Sequence, residues 1–403
     1  MFDEYRGTQR EALLIIYSSI MPTAAIGMFY TDIAYFLTEV QGLPDFFMGT
    51  IIMVMGISMV AASIPLGILA DSYGRKKMLV IGNVIASLII AAFALTTDPT
   101  LLLLCALLEG ISEGAYSASA SALIADKVSA SKRTSVFALY GFVGGVAMGA
   151  GSFAIPLVVV FEYLGVPAGQ SHVLLYVIFA MLSLASTILI LKVSESKTKP
   201  RSAGFSGLLP KRSIRVIAKY TLASAMMAFG AGMVVPLMTR WFNLAYGITD
   251  AISGPILGIS SLVIGVSTLA APYLGRRFGV VNAIVLTQAA STIFMFLTPL
   301  SPQFLIASFV YTVRAFLMNM GMPLQNSLIM GLVHRDERGA ASGISAALWR
   351  LPNSFSTPIG AWLMGQGLLA MPFYIASLLY ISSISIFWVF FRRVRMPEEE
   401  GRA

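Results

Sequence analysis

The chain has 403 residues, 57% apolar and 11% charged, with 27 Lys and Arg against 19 Asp and Glu for a formal charge of +8. A soluble domain carries roughly 25% charged residues, so a single water-soluble core is excluded, whereas about twelve membrane helices of about 20 residues would account for the apolar share. One cysteine, Cys105, and two histidines, His172 and His334, exclude a disulfide framework and leave little material for a zinc site or an imidazole relay.

Apolar runs between polar breaks predict twelve helical spans, at 11–38, 45–69, 77–97, 100–125, 134–161, 171–193, 214–243, 250–274, 280–299, 302–332, 339–365 and 370–391. Runs of this length lack the alternation of barrel strands. The acidic start, Met1-Phe-Asp-Glu, has no small-residue cleavage site before span 1, which therefore reads as a retained helix. Span 1 carries Asp32 with Tyr30 and Tyr35 nearby. Span 4 carries Glu109 and Glu113, one turn apart and so on one helix face. Span 7 holds Arg240 near one end, span 10 holds Arg314, and span 11 holds Arg350 followed by Pro352 and Asn353. A helix broken at Pro352 would free backbone carbonyls to line a polar site. Gln288, Asn319, Gln325 and Asn326 read as interhelical hydrogen-bonding groups before substrate contacts.

Apart from Arg240, Arg314 and Arg350, the Lys and Arg residues fall at the chain ends or in and beside alternate loops, as in Arg75-Lys76-Lys77 and Arg276-Arg277. The intervening loops are assigned only acids: Glu39, Asp45, Asp98, Glu162 and Asp250. Cationic loops stay in the cytoplasm, which puts both termini there. Topology and anionic lipid account for the net charge, so no nucleic-acid partner is needed.

Sliding the chain on itself by 205 residues aligns Gly27, Gly42, Asp45 and Gly49 with Gly232, Gly247, Asp250 and Gly254. The same offset aligns Leu69 to Gly74 with Leu274 to Gly279, and Arg133 with Arg338. The chain thus reads as an all-α polytopic membrane protein of two six-helix bundles related by duplication, 1–193 and 214–391. Residues 194–213, rich in Pro, Gly and basic side chains, form the predicted cytoplasmic linker, and 392–403 a cytoplasmic tail.

After span 2 the sequence reads Gly67-Ile-Leu-Ala-Asp71-Ser72-Tyr-Gly74-Arg75-Lys76-Lys77. It resembles the cytoplasmic signature of the major facilitator superfamily, G-x-L-A-D-R-x-G-R-K-x, with Ser72 as the main departure. With the repeat and the degenerate second copy at Leu274 to Gly279, the resemblance covers nearly the whole chain. It implies twelve helices in two pseudo-symmetric bundles, a usual monomer, and a latch in which Asp71 pairs with Arg75 in a Gly-flanked turn. Asp71 would face the start of span 11, and Asp126 at the end of span 4 would be a further partner. Arg276 replaces the acid in the second copy, so the two gates need not be equivalent. Span 4 lacks the Arg that often precedes the family's Gly pair, reading Glu109-Gly110-Ile-Ser112-Glu113-Gly114 instead. Span 5 has Gly141, Gly144, Gly145, Gly149 and Gly151 but Ala150 where antiporters tend to have Pro, which weakens the antiporter assignment. These glycines are expected to let spans 2, 5, 8 and 11 pack closely.

The resemblance also implies a cavity lined by spans 1, 4, 7 and 10. Charges in hydrocarbon cost at least about 2.5–3.5 kcal/mol each and need partners or a wet cavity. Asp32, Glu109, Glu113, Arg314 and Arg350 are therefore the candidates for proton coupling or substrate binding. At the repeat offset Glu109 falls on Arg314, and the two are expected to face each other across the cavity. An acid that gains and loses an Arg partner as the bundles rock can carry a proton.

Gly110-Ile-Ser112-Glu-Gly114 matches a hydrolase nucleophile pattern but lies within a predicted helix, not at a strand-to-helix elbow. No zinc-protease or phosphate-loop motif occurs. The expectation is a secondary transporter and not an enzyme, without cofactor or resident metal, moving a small organic solute by alternating access. Proton-coupled efflux is favoured by likeness to the drug:proton antiporter branch. Alternatives are uptake of an anionic metabolite, with Arg314 and Arg350 as clamp, and a non-transporting receptor or scaffold. The absence of any N-x-[ST] sequon points to a prokaryotic plasma or inner membrane.

Overall fold

The computed structural model describes residues 10–128, 133–194, 212–267, 270–334 and 337–394. Most of the predicted linker and the tail beyond residue 394 lie outside them. In chain order the helices are α1 (Arg10–Ser18), α2 (Ile20–Tyr35), α3 (Asp45–Tyr73), α4 (Arg75–Leu95), α5 (Pro99–Asp126), α6 (Arg133–Phe153), α7 (Leu157–Tyr163), α8 (Ala168–Leu191) and α9 (Ile214–Gly232). They continue with α10 (Met238–Tyr246), α11 (Asp250–Ser267), α12 (Ala271–Phe278), α13 (Val280–Leu297), α14 (Phe304–Met320), α15 (Met322–Leu332), α16 (Arg338–Gly365) and α17 (Met371–Phe391). Among the described residues, eleven helical runs are long and apolar enough to cross a membrane. The remaining predicted span corresponds to α16, which has 28 residues but carries Arg350, Asn353 and several hydroxyl side chains.

Several predicted spans are jointed. Span 1 steps from α1 to α2 at Ser19 and ends in a π-turn over Phe36–Val40. Span 5 breaks ahead of Pro156, span 7 around Pro236, and span 10 at Gly321 ahead of Pro323. A proline beside each of these three breaks lacks the N–H that would continue the ladder. The break expected at Pro352 does not occur: α16 runs through both Pro352 and Pro358. Around them Ser354 donates to the Arg350 carbonyl at 2.9 Å, and Ser356 and Thr357 donate to that of Asn353 at 3.0 Å. These hydroxyls add second hydrogen bonds to carbonyls next to the two prolines, a common feature where a membrane helix carries proline.

The internal repeat is present in the backbone. Helix starts at Asp45 and Asp250, Arg75 and Val280, Pro99 and Phe304, and Arg133 and Arg338 all keep the 205-residue offset. Two turns keep it as well. Gly42 and Gly247 have φ of 71° and 68°, and Gly74 and Gly279 have φ of 110° and 80°, the region open to glycine because it lacks a Cβ.

The chain forms two compact units. The first is Met1–Leu43, Ile51–Ser202 and Thr249–Gly258; the second is Pro44–Thr50, Ala203–Ile248 and Ile259–Ala403. One core of the first gathers Ile15, Ile16, Leu79, Tyr116, Leu123 and Ile190 from α1, α4, α5 and α8. A core of the second gathers Ile217, Ile284, Leu328, Ile329, Phe387 and Phe391 from α9, α13, α15 and α17. Hydrocarbon tails give apolar side chains little reason to leave them, so close packing and polar clasps hold such helices together. In the first unit Asn83 of α4 donates to the Ser183 carbonyl at 2.9 Å and to Thr187 Oγ1 at 2.8 Å, joining α4 to α8. Gly27 and Gly151 press α2 against α6: a Cβ on Gly27 would overlap the Met148 backbone, and one on Gly151 the Ala24 carbonyl. In the second unit Gly232 packs likewise on Asn353 and Ser356 of α16, and Gly360 on Met233.

Candidate functional site: charges buried within the helices

The signature segment is more helical than expected. Gly67 and Asp71 lie inside α3, which runs to Tyr73, and the turn is reduced to Gly74 before Arg75 opens α4. Ala70, Met78 and Ala115 pack together around this corner, which holds the end of α3 to α4 and α5. Arg75 Nη1 lies 2.7 Å from Asp126 Oδ2 and 3.2 Å from the Ala122 carbonyl. A carboxylate at a helix C-terminus is disfavoured by the helix dipole; Arg75 supplies the cation that both it and the last carbonyls need. The Asp71 side chain lies outside the described residues, and with it the expected Asp71–Arg75 pair. Lys76 caps a second helix end, donating to the Leu191 carbonyl of α8 at 2.9 Å.

Glu109 is 3% exposed inside α5. The Tyr30 hydroxyl of α2 lies 3.1 and 3.3 Å from its two carboxylate oxygens. Glu113 is half-buried on the same helix, near Tyr116 and Tyr140. Arg314, 4% exposed in α14 of the second unit, donates from Nη2 to the Tyr380 hydroxyl at 2.5 Å and lies over the rings of Tyr311 and Tyr380. Its Nε has no hydrogen-bond acceptor among the described residues. Glu109 and Arg314 thus each have a tyrosine partner in their own unit. Arg350 is exposed on α16 and has no ion-pair partner among the described residues.

Two acids counted with the loops in the charge tally, at the starts of predicted spans 2 and 8, are first residues of helices, Asp45 partly buried and Asp250 fully so. Asp45, opening α3, accepts from Arg240 Nε at 2.6 Å and Nη2 at 3.2 Å, a two-pronged pair within the second unit. Arg240 also donates to Asn243 at 2.9 Å. Asp250, opening α11, is 2% exposed in the first unit, and its Oδ2 lies 3.1 Å from His172 Nε2 of α8. Asp32 of α2 is the third member: it is fully buried, and donor atoms of Asp32, His172 and Asp250 lie within 4.8 Å of one another. Tyr35 and Phe36 flank the imidazole, with ring centroids at 6.2 and 6.0 Å. Sequence reasoning placed Asp32 near Tyr35 but passed over His172 and Asp250. The usable signal was the repeat, which had singled out Asp45 and Asp250 as equivalent acids at helix starts.

The Major Facilitator Superfamily model matches residues 15–357 and 220–403. Among curated proteins, the uncharacterized membrane protein YJR124C of Saccharomyces cerevisiae is 24% identical over 281 residues, 60% of this chain. The match spans 63% of that relative's length. Among solved structures, the nucleoside transporter NupG superposes with a TM-score of 0.75 at 15% identity, covering 96% of this chain and all of its own. A bacterial homolog of the human lysosomal transporter Spinster, inward-facing and occupied, gives 0.74 at 13% identity over 95% of this chain and 96% of its own. The human organic anion transporter TETRAN gives 0.64 at 16% identity, over 94% of this chain and 99% of its own. At such identities the likeness concerns the fold.

Proposed function

We propose that this chain, which belongs to the Major Facilitator Superfamily and is a multi-pass membrane transporter of small molecules, moves an organic solute by alternating access coupled to protons. Export is the favoured direction, and a monomer in a prokaryotic plasma or inner membrane, both termini cytoplasmic, is the favoured setting. The observation that carries the coupling is Glu109, a carboxyl 3% exposed in the middle of a membrane helix with a tyrosine hydroxyl on it. An ionised carboxylate in a dry span is costly, whereas the protonated acid is tolerated, so the side that wets Glu109 sets when it loads and unloads. Tyr30 stays a partner in both forms, since a hydroxyl both donates and accepts.

The experiment is solute flux in proteoliposomes under an imposed pH gradient. Glu109→Gln is expected to abolish the response to the gradient while solute exchange continues. An equal response in the variant would remove Glu109 from the coupling path. No substrate-dependent flux in the wild type would favour the receptor or scaffold reading instead.

One observation favours an anionic solute as the second reading. Arg314 is buried without a carboxylate partner among the described residues and has an Nε donor to spare. TETRAN transports organic anions. If Arg314 and Arg350 form the clamp, Arg350→Ala raises KM for an anionic solute at least about tenfold, the loss of one charge-assisted bond; unchanged kinetics would discard the clamp.

A further inference from the structure

Asp32 is fully buried, and among the described residues neither oxygen of its ionised carboxylate has a hydrogen-bond donor of normal geometry. A buried carboxylate left bare in this way is rare, because each such group loses its water without compensation. The groups beside it do not supply the missing partner. Tyr176 borders it, yet its hydroxyl also lacks a partner of normal geometry. Asp250 borders it and is itself an acid.

The histidine narrows the choice. His172 Nδ1 lies 3.3 Å from the Ala168 carbonyl, an acceptor only, so Nδ1 carries the hydrogen of that bond. In the neutral ring Nε2 then presents a lone pair, and it points at Asp250 Oδ2, a second acceptor 3.1 Å away. Two acceptors at that distance require a positive centre shared between them. A proton on Nε2 would satisfy Asp250 but leave Asp32 bare. A proton on Asp32 would remove its charge and could be shared with Asp250 beside it, but alone would leave the Nε2 lone pair facing a carboxylate oxygen. A single divalent cation meets all three demands: it accepts the Nε2 lone pair, bonds an oxygen from each carboxylate, and cancels both negative charges.

We propose that Asp32, His172 and Asp250 bind one divalent first-row transition-metal ion of the zinc, cobalt or manganese class. One imidazole nitrogen and two carboxylate oxygens suit these ions, and a histidine that donates its other N–H to a backbone carbonyl is oriented as metal-bound histidines are. Donor atoms around such an ion sit about 2.0–2.2 Å from it, hence roughly 3.3 Å apart in a tetrahedron. The three donor atoms lie within 4.8 Å of one another, so binding would draw them together around the ion. Tyr35 and Phe36 wall the ring and keep its orientation fixed. The ligands come from α2, α8 and α11, so the ion would fasten the start of α11 to two helices of the first unit.

The test uses the purified full chain in detergent, stripped with a chelator and titrated with Co2+. The expected result is one Co2+ per chain with visible ligand-field bands, displaced by Zn2+. Asp32→Asn and His172→Asn should each weaken binding by at least about 10–100-fold, and His334→Asn, at the only other histidine, should leave it unchanged. No stoichiometric binding by the wild type overturns the proposal, and so does equal binding by Asp32→Asn and His172→Asn. Loss of binding in His334→Asn would move the site elsewhere and overturn it too. The wild-type spectrum decides even where a variant fails to fold. Because the readout is metal and not flux, failure here is separate from failure of the transport reading.

Discussion

Arg240→Ala is expected to destabilise the protein by about 3–5 kcal/mol, the range for breaking a buried ion pair by removing one partner. The Arg240 side chain is 9% exposed and that of Asp45 15%, so water does little to compensate the acid left behind. Asp45→Ala removes the same pair from the other side and leaves a buried guanidinium that still donates to Asn243 but has lost its counter-charge. The double variant Asp45→Leu/Arg240→Met should recover most of the loss, because replacing a whole buried pair by apolar groups is often neutral. Thermal unfolding in detergent measures all three. Single variants as stable as the wild type would show that the pair is solvated.

The second large effect is steric and can be read against a control in the same helix. Gly151→Ala places a methyl onto the Ala24 carbonyl of α2, and backbone cannot step aside as a side chain can. Overpacking of this kind costs about 1–3 kcal/mol, occasionally more. Gly144→Ala meets nothing within 4 Å and should stabilise α6 by about 0.5–1 kcal/mol, the helix preference of alanine over glycine. Opposite signs for two identical substitutions seven residues apart would confirm the α2–α6 contact. Matching effects would deny it.

The sequence carried the spacing of the helices well and their joints poorly. Patterned apolar runs and the 205-residue offset follow from chemistry that every residue reports. Whether a proline breaks a helix depends on its neighbours: Pro236 and Pro323 sit at breaks, while Pro352 lies in continuous α16 among hydroxyls that bond the nearby carbonyls. Asp45 and Asp250 open predicted spans 2 and 8 as they open α3 and α11, yet they count with the loop charges, because an acid in the first helical turn and an acid in a loop look alike until a partner is seen. His172 gave no signal of its own, since its partners lie on helices distant in sequence. Asp32, Glu109, Glu113, Arg314 and Arg350 stood out because a charge amid apolar residues needs no partner to be noticed.

Glu109 and Arg314 stand ten residues after the first residue of α5 and of α14, the same register in the two repeats. An assembly of two identical half-length chains would have to carry the same residue at both positions, acid with acid or base with base. Opposite charges at one register require halves that differ in sequence, which a single chain carrying both copies allows. Gly27 and Gly232 have meanwhile kept one identity, because each must admit another helix backbone. Joining the halves let their interiors diverge in chemistry while the helix contacts that shape each half stayed under the older constraint.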